Sequence, residues 1–341
     1  MANPADSGGG HPVPFFIMGS PRSGTTLVAQ ILDAHSRLSV YFEMSYHVTF
    51  RPLARLYGDL GDERNRRRFV RDVLDHLRVQ RAETPSIGEV EQALVAPTFE
   101  GILETLLGLQ ARQQDKLRGG EKTPLNYLYL DDIRSGFPDS PVIYLMRDPR
   151  DVVLSMRKAW NMSNSDATRV WNQAYLKFAQ GPSAGVHLVR YEQLVREPAA
   201  TTEAICRALG ESFEPEMVAT SRRVPKQLEA IRHLDLTKLG GAVVTSSVGN
   251  YKELGGPEIR EIEAACAMGM EAMGYEFTGP APEITPPVIE GTGFLRHAVD
   301  RLRYLGHNPE RWRRGLFRWR MALMVRLRYV VRLGFRRPSP R

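Results

Sequence analysis

Short apolar runs that stop at glycine or a charged residue alternate along this chain with longer stretches in which apolar side chains recur every three or four positions. The runs Phe15 to Met18, Leu38 to Phe42, Val142 to Met146 and Val186 to Val189 have the length of strands buried on both faces. Between them, three sets have helical spacing: Leu27, Val28, Ile31 and Leu32; Phe69, Val70, Val73, Leu74 and Leu77; and Ile102, Leu103, Leu106 and Leu107. Val152 to Trp160 reads as a further helix. Pro198 ahead of Ala199 to Leu209 and Pro257 ahead of Glu258 to Met273, closed by Gly210 and Gly274, show the proline-in, glycine-out asymmetry of helix ends. Strands alternating with helices predict an α/β domain over residues 14–277, a mostly parallel sheet with helices on both faces. Residues 1–13 read as a disordered leader, the Pro/Gly-rich residues 278–293 as a linker, and residues 294–341 as a basic helical tail.

Composition narrows this picture. With 341 residues, 42% of them apolar and 25% charged, the chain has enough apolar surface for a sizeable core and is neither collagen-like nor disordered. Cys206 and Cys266 sit in apolar helical runs without metal-ligand spacing, which argues against a structural zinc site or a disulfide framework and makes a reducing cytoplasm the default expectation. The opening MANPADSGGGHP lacks a basic segment followed by an apolar stretch, and no long uncharged apolar run occurs, so neither a signal peptide nor a spanning helix is expected.

The formal charge of +7 is unevenly placed. Residues 290–341 hold 14 arginines, no lysine and three acidic residues, whereas residues 1–289 hold 32 basic against 36 acidic side chains. The basic excess therefore belongs to the tail, and nucleic acid is not an expected partner of the protein as a whole.

The chemistry begins after the first run. Gly19-Ser-Pro-Arg-Ser-Gly24-Thr25-Thr26 has the frame of a phosphate-binding loop between a strand and a helix, where backbone amides and the positive helix end form an anion site. The nucleoside-triphosphate version places Lys after the second Gly and Ser/Thr after that for magnesium. Here Thr25 stands at the Lys position and the positive charge sits inside the loop as Arg22. A phosphate-anchored donor handled without metal fits this better than ATP; the bland alternative is a simple strand-to-helix turn. Further along, Arg147 ends the run Val142 to Met146 with Ser155 in the helix that follows, so the two could clamp a second phosphate. Equally, Arg147 could pair with Asp148 or Asp151, and Asp148 after an apolar run is the best single argument for a kinase using ATP and magnesium.

PRSGTTL after a short strand resembles the 5′-phosphosulfate loop of sulfotransferases that use 3′-phosphoadenosine 5′-phosphosulfate (PAPS). The stretch PRSGTTLVAQILDAHSRLSVYFE is most similar to the branch with protein-tyrosine and carbohydrate sulfotransferases and bacterial relatives. EKTP (Glu121 to Pro124), YLMRDPRDVVLSM (Tyr144 to Met156), YEQL (Tyr191 to Leu194) and SVGNYKEL (Ser247 to Leu254) continue the resemblance in order over about residues 14–275.

The resemblance implies PAPS as sulfuryl donor, held by Arg22, Ser23, Gly24, Thr25 and Thr26, with Arg147 and Ser155 on the 3′-phosphate and no metal. It also implies stacking of Tyr191 on adenine, although a tyrosine at a strand end is often just packing, and closure of a loop carrying Ser247 and Lys252 over the nucleotide. Sulfuryl transfer to an acceptor hydroxyl, or less readily an amine, needs a base and positive charge at the departing oxygen. Glu43, at the carboxyl end of the second strand, is the candidate base, against the alternative of a solvated carboxylate. Lys122 and Arg22 are the candidates for charge stabilisation, with an exposed loop lysine as the alternative for Lys122. Phe42 stands where relatives often carry a second acidic residue. If residues 43–47 are helical, His47 would share a face with Glu43 and could orient or replace it. His35 reads as a structural histidine at a helix end.

The acceptor pocket is expected from residues 44–120, which include Tyr46, His47, Arg51 and Tyr57, and from residues 160–180; no motif there names the acceptor, and oligomeric state is open. In the tail, Trp312, Leu316, Trp319, Leu323, Leu327 and Val330 fall on one helical stripe, with Arg320 and Arg326 intruding. Over residues 311–336 this suits an anionic membrane surface at the inner face, with docking onto the catalytic domain or contact with polyanions as rival readings.

Overall fold

The computed structural model describes residues 12–79, 83–219, 246–287, 316–317 and 319–327. Its elements run β1 (Phe15–Gly19), α1 (Thr25–Asp33), β2 (Leu38–Phe42), α2 (Tyr46–Phe50), α3 (Ala54–Tyr57), α4 (Glu63–Val79), α5 (Ile87–Gln92), α6 (Phe99–Gln113), β3 (Arg118–Lys122) and α7 (Leu130–Gly136). They continue as β4 (Val142–Met146), α8 (Pro149–Trp160), α9 (Asn164–Gln180), β5 (Val186–Arg190), α10 (Tyr191–Arg196), α11 (Pro198–Leu209) and α12 (Gly256–Ala272). All pairings are parallel, in the order β2-β3-β1-β4-β5. The fold is thus the expected α/β architecture. The leader falls almost wholly outside the described residues, as do residues 288–315 and 328–341 of the linker and tail.

Period-two alternation along β1 explains the layers. Phe15 and Ile17 face a core with Val28, Ile31 and Leu32 of α1 and Ile205 and Leu209 of α11. Phe16 and Met18 face the larger core, which receives α2 to α9 and α12. Both faces are covered, so every residue of β1 and β4 is buried, as a parallel sheet requires.

The sequence pattern does not reveal β3. Its residues, Arg-Gly-Gly-Glu-Lys, have no strand signature, yet they pair with β1 and β2 and are buried throughout. The glycines are steric necessities: a Cβ on Gly120 would lie 2.4 Å from the Phe15 ring, and one on Gly119 2.4 Å from the Leu107 carbonyl oxygen. Lys122 accordingly sits at a strand end inside the fold and not on an exposed loop; it is 0% exposed. α9 was also not delimited by the pattern. Its Trp171 is fully buried, and Trp171 Nε1 donates to the Arg147 carbonyl at 2.8 Å, pinning the backbone where β4 ends.

Cys206 and Cys266 are both free and buried. Among the described residues no helix is long and apolar enough to cross a membrane.

Candidate active site

Parallel pairing brings the carboxyl ends of β1, β2, β3, β4 and β5 to one edge of the sheet, and the residues after each end make the site. From β1 the chain turns through Gly19 (φ 136°), Arg22 (φ 70°) and Gly24 (φ 90°) into α1. Glycine is required at position 24 twice over: its backbone is left-handed, and a Cβ there would lie 2.4 Å from Tyr191 Cδ2. The first turn of α1 carries no acidic side chain, so its amide end stays electropositive. Ser23 Oγ is buried there without a hydrogen-bond partner. An orphaned hydroxyl of this kind costs about 1–3 kcal/mol unless a ligand satisfies it. Together these features fit a phosphate-like group.

Two arginines join this loop to β4 and α8. Arg22 Nε donates to Ser155 Oγ at 2.9 Å, and its guanidinium lies 5.9 Å from the Trp160 ring centroid. Arg147 donates to the Arg22 carbonyl at 3.2 Å and to the Ser247 carbonyl, packs 4.6 Å over the Tyr191 ring, and keeps a buried, unbonded Nε. Neutral carbonyls are partners that a phosphate dianion can replace in favour of a stronger charge-assisted bond. Tyr191 is 8% exposed, with one neighbour Gly24 and another Arg147, so the described structure gives its ring a packing role against the loop.

Asp151, weighed in the sequence only as a partner for Arg147, has a second task. It pairs with Arg147 at 3.4 Å, and its two carboxylate oxygens accept the backbone amides of Gly249 at 2.8 Å and Tyr251 at 2.9 Å. The segment carrying Ser247 and Lys252 is thereby tied to α8. No local signal could have found this, because the partners lie about a hundred residues apart. Lys252 itself is exposed on the turn Asn250–Glu253.

Asp148, the kinase argument, is engaged elsewhere. Its Oδ1 accepts Arg150 N and Nε, both at 2.9 Å, its Oδ2 accepts Arg150 Nη2 at 2.7 Å, and Arg150 Nη1 reaches Glu263 at 2.6 Å. This buried network caps α8 and ties it to α12. A carboxylate so committed to one guanidinium is not a ready magnesium ligand.

Lys122 joins the loop to the second strand end. Its Nζ lies 2.9 Å from Glu43 Oε1 and 3.3 Å from Thr26 Oγ1, and 5.5 Å over the Phe42 ring. Glu43 follows β2 with left-handed backbone (φ 54°), its amide donating to the Lys122 carbonyl at 2.6 Å. The lysine side chain is closed to solvent against the loop, while the glutamate side chain is 43% exposed. Fully buried Glu121 accepts Thr123 Oγ1 at 2.7 Å and Asn126 Nδ2 at 3.1 Å, and the same Thr123 hydroxyl accepts the Ser45 amide at 3.0 Å. Burial pushes the Glu121 carboxyl upward against the pull of those donors. This carboxyl fixes the turn that presents Glu43.

His47 does not share a helical face with Glu43. The backbone is left-handed at Glu43 and Ser45, and α2 begins only at Tyr46. His47 is caged by the rings of Phe16, Tyr46, Phe99, Tyr129 and Phe137, and burial, helped by the Arg51 charge, lowers its pKa to about 3. Tyr46 and Tyr57 are likewise core residues, bonded to the Phe99 carbonyl and to Asp72, while Arg51 clamps Asp132 at 2.6 Å. The polar residues singled out between 44 and 57 therefore build the helical cap rather than an acceptor surface. His35 is bonded to the Ser212 carbonyl and to the Arg37 amide, a structural position.

A glycine-rich loop and two arginines meet at the carboxyl edge of a parallel α/β sheet, an arrangement that fits a phosphorylated ligand. The profile of the sulfotransferase family matches residues 14–215, more than half of the sequence, and the chain belongs to that family. It is 24% identical over 151 residues to nodulation protein NoeE of Sinorhizobium fredii, covering 44% of this chain and 32% of that one. It is 34% identical over 94 residues to human sulfotransferase 2A1, covering 22% and 33% respectively. The chain thus spans about a third of the length of these curated relatives. In fold it is similar to the sulfotransferase domain of the Synechococcus PCC 7002 olefin synthase, with a TM-score of 0.54, 21% identity, and 78% and 96% of the two chains covered.

Proposed function

We propose that this protein transfers a sulfuryl group from PAPS to an acceptor hydroxyl, with Glu43 as general base. One observation carries the proposal: the Lys122 ammonium bridges Thr26 of the anion loop and the Glu43 carboxylate. A base and an anion cradle are thereby held within one cluster.

The donor, when bound, supplies an SO₃ unit on a phosphate oxygen. The amides of Ser23, Gly24, Thr25 and Thr26, with Ser23 Oγ and Arg22, are suited to its 5′ end. Arg147 and Ser155 are suited to the 3′-phosphate, under the Ser247–Lys252 segment held by Asp151. Glu43 takes the proton of the acceptor hydroxyl as the new S–O bond forms. The electron pair of the breaking bond goes to the phosphate oxygen, where Lys122 and Arg22 meet the developing charge. Lys122 also aims Glu43 until the acceptor arrives. Residues 44–120, apart from Tyr46, His47, Arg51 and Tyr57 of the cap, and residues 160–180 are the proposed source of acceptor contacts.

The test is transfer of label into a cell extract from sulfur-labelled PAPS and, in parallel, from γ-labelled ATP with magnesium. Label from PAPS alone is expected. Label from ATP alone would replace this reading with a kinase.

A further inference from the structure

The C-terminal helical segment, residues 316–317 and 319–327, has two apolar faces of different fate. Phe317, Met321 and Val325, spaced four apart, pack on the larger core, with the Phe317 ring stacked on His76 of α4 at 6.3 Å. Met321 and Val325 are 5% and 3% exposed. Leu316, Trp319, Leu323 and Leu327 fall on a stripe turned well away from that face, and they are 41–62% exposed. The docking residues are thus not the stripe that the sequence pattern picks out; that stripe is left outward.

From this we infer that the outward stripe is a docking surface for an anionic lipid bilayer. Three features select this occupant. At 100° per residue, the exposed Arg320 and Arg326 project on either side of the stripe, which is the arrangement of an interfacial helix with cationic flanks. The surrounding chain, residues 290–341, carries 14 arginines against three acidic residues, a charge complementary to anionic headgroups. The adjoining α4 adds exposed Arg64 and Arg71 at helical spacing, while its Arg67 and Arg78 pair with Glu63 and Asp75. From Leu316 to Leu327 the stripe is about 16 Å long, suited to lying in the interface rather than crossing it. The inner core face anchors the segment, so a bound bilayer would hold the whole catalytic domain at its surface.

Flotation of the full chain with vesicles tests this. Binding is expected to vesicles of mixed phosphatidylcholine and phosphatidylserine, to weaken with salt, and to be absent with phosphatidylcholine alone. Replacing both Trp319→Glu and Leu323→Glu is expected to weaken partitioning on the order of tenfold or more. Because both side chains are exposed, the melting temperature and bisphosphate binding should hold. A milder pair, Leu316→Ser with Leu327→Ser, should act in the same direction and guards against misfolding. Failure to float with the anionic vesicles, equal binding by wild type and both variants, or equal binding to neutral vesicles would each overturn the inference. So would stripe-dependent dimerisation or binding to heparin without vesicle partitioning.

Discussion

Glu43→Gln separates chemistry from structure at the centre of the site. The substitution keeps shape and an acceptor oxygen but removes the charge 2.9 Å from a lysine that is closed to solvent. Truncating one partner of a fully buried pair costs about 3–5 kcal/mol, whereas exposed pairs are worth about 0–1. Here the lysine is buried and the carboxylate is 43% exposed, and the remaining partner, Thr26 Oγ1 at 3.3 Å, still accepts. A stability loss of about 1 kcal/mol follows, well short of unfolding. The effect on turnover should be far larger, about 10²–10⁴-fold, the usual contribution of a positioned general base. Labelled-PAPS turnover, calorimetric binding of adenosine 3′,5′-bisphosphate and thermal melts would be measured on the variant, on Lys122→Met and on the double substitution. The pair should couple, with the double variant no worse in turnover than the poorer single one. Undiminished turnover in Glu43→Gln, or equal losses of turnover and donor binding, would refute the assignment of the base.

Three further outcomes follow from the geometry. Gly24→Ala places a Cβ 2.4 Å from Tyr191 on left-handed backbone, so donor affinity and about 1–3 kcal/mol of stability should be lost, with only partial rescue by Tyr191→Ala; a fully stable variant with normal affinity would contradict the loop geometry. Asp151→Asn leaves one acceptor for two amides, and should weaken bisphosphate binding about tenfold while sparing turnover at saturating donor; a loss of turnover alone would count against its anchoring role. His47 has a folded-state pKa of about 3 against 6.5 unfolded, so below pH 6.5 the unfolded chain takes up a proton that the folded chain refuses. That group removes about 1.4 kcal/mol per pH unit as pH falls through this window. His47→Leu should flatten the acid limb of stability in urea titrations, and an unchanged limb would contradict the caged, neutral imidazole.

What could be read in the chain depended on whether the physical cause was local. β1, its glycine-rich turn and α1 were legible because strand, breaker and helical spacing are contiguous. β3 was not, because its burial comes from Phe15 and Leu107 packing where Gly120 and Gly119 have no side chains. Lys122 could therefore be picked from the EKTP motif while its setting, a closed strand end, was missed. The start of α9 was legible in principle: Ser163 Oγ accepts the Asp166 amide, a cap written in the sequence as Ser-x-x-Asp. His47 was misjudged because left-handed backbone at Glu43 and Ser45 breaks the helical register, and a pattern of residue types does not report φ. Asp151 and the docking face of the tail depend on partners distant in sequence.

Calorimetric titration of the protein with adenosine 3′,5′-bisphosphate in a metal chelator bears most directly on the central claim that the loop at Arg22 to Thr26 and the Arg147 clamp hold the two phosphates of the donor. The account predicts saturable binding without metal, weakened by Arg147→Ala and by Gly24→Ala. No heat from the bisphosphate, or binding of ATP only when magnesium is restored, would contradict it.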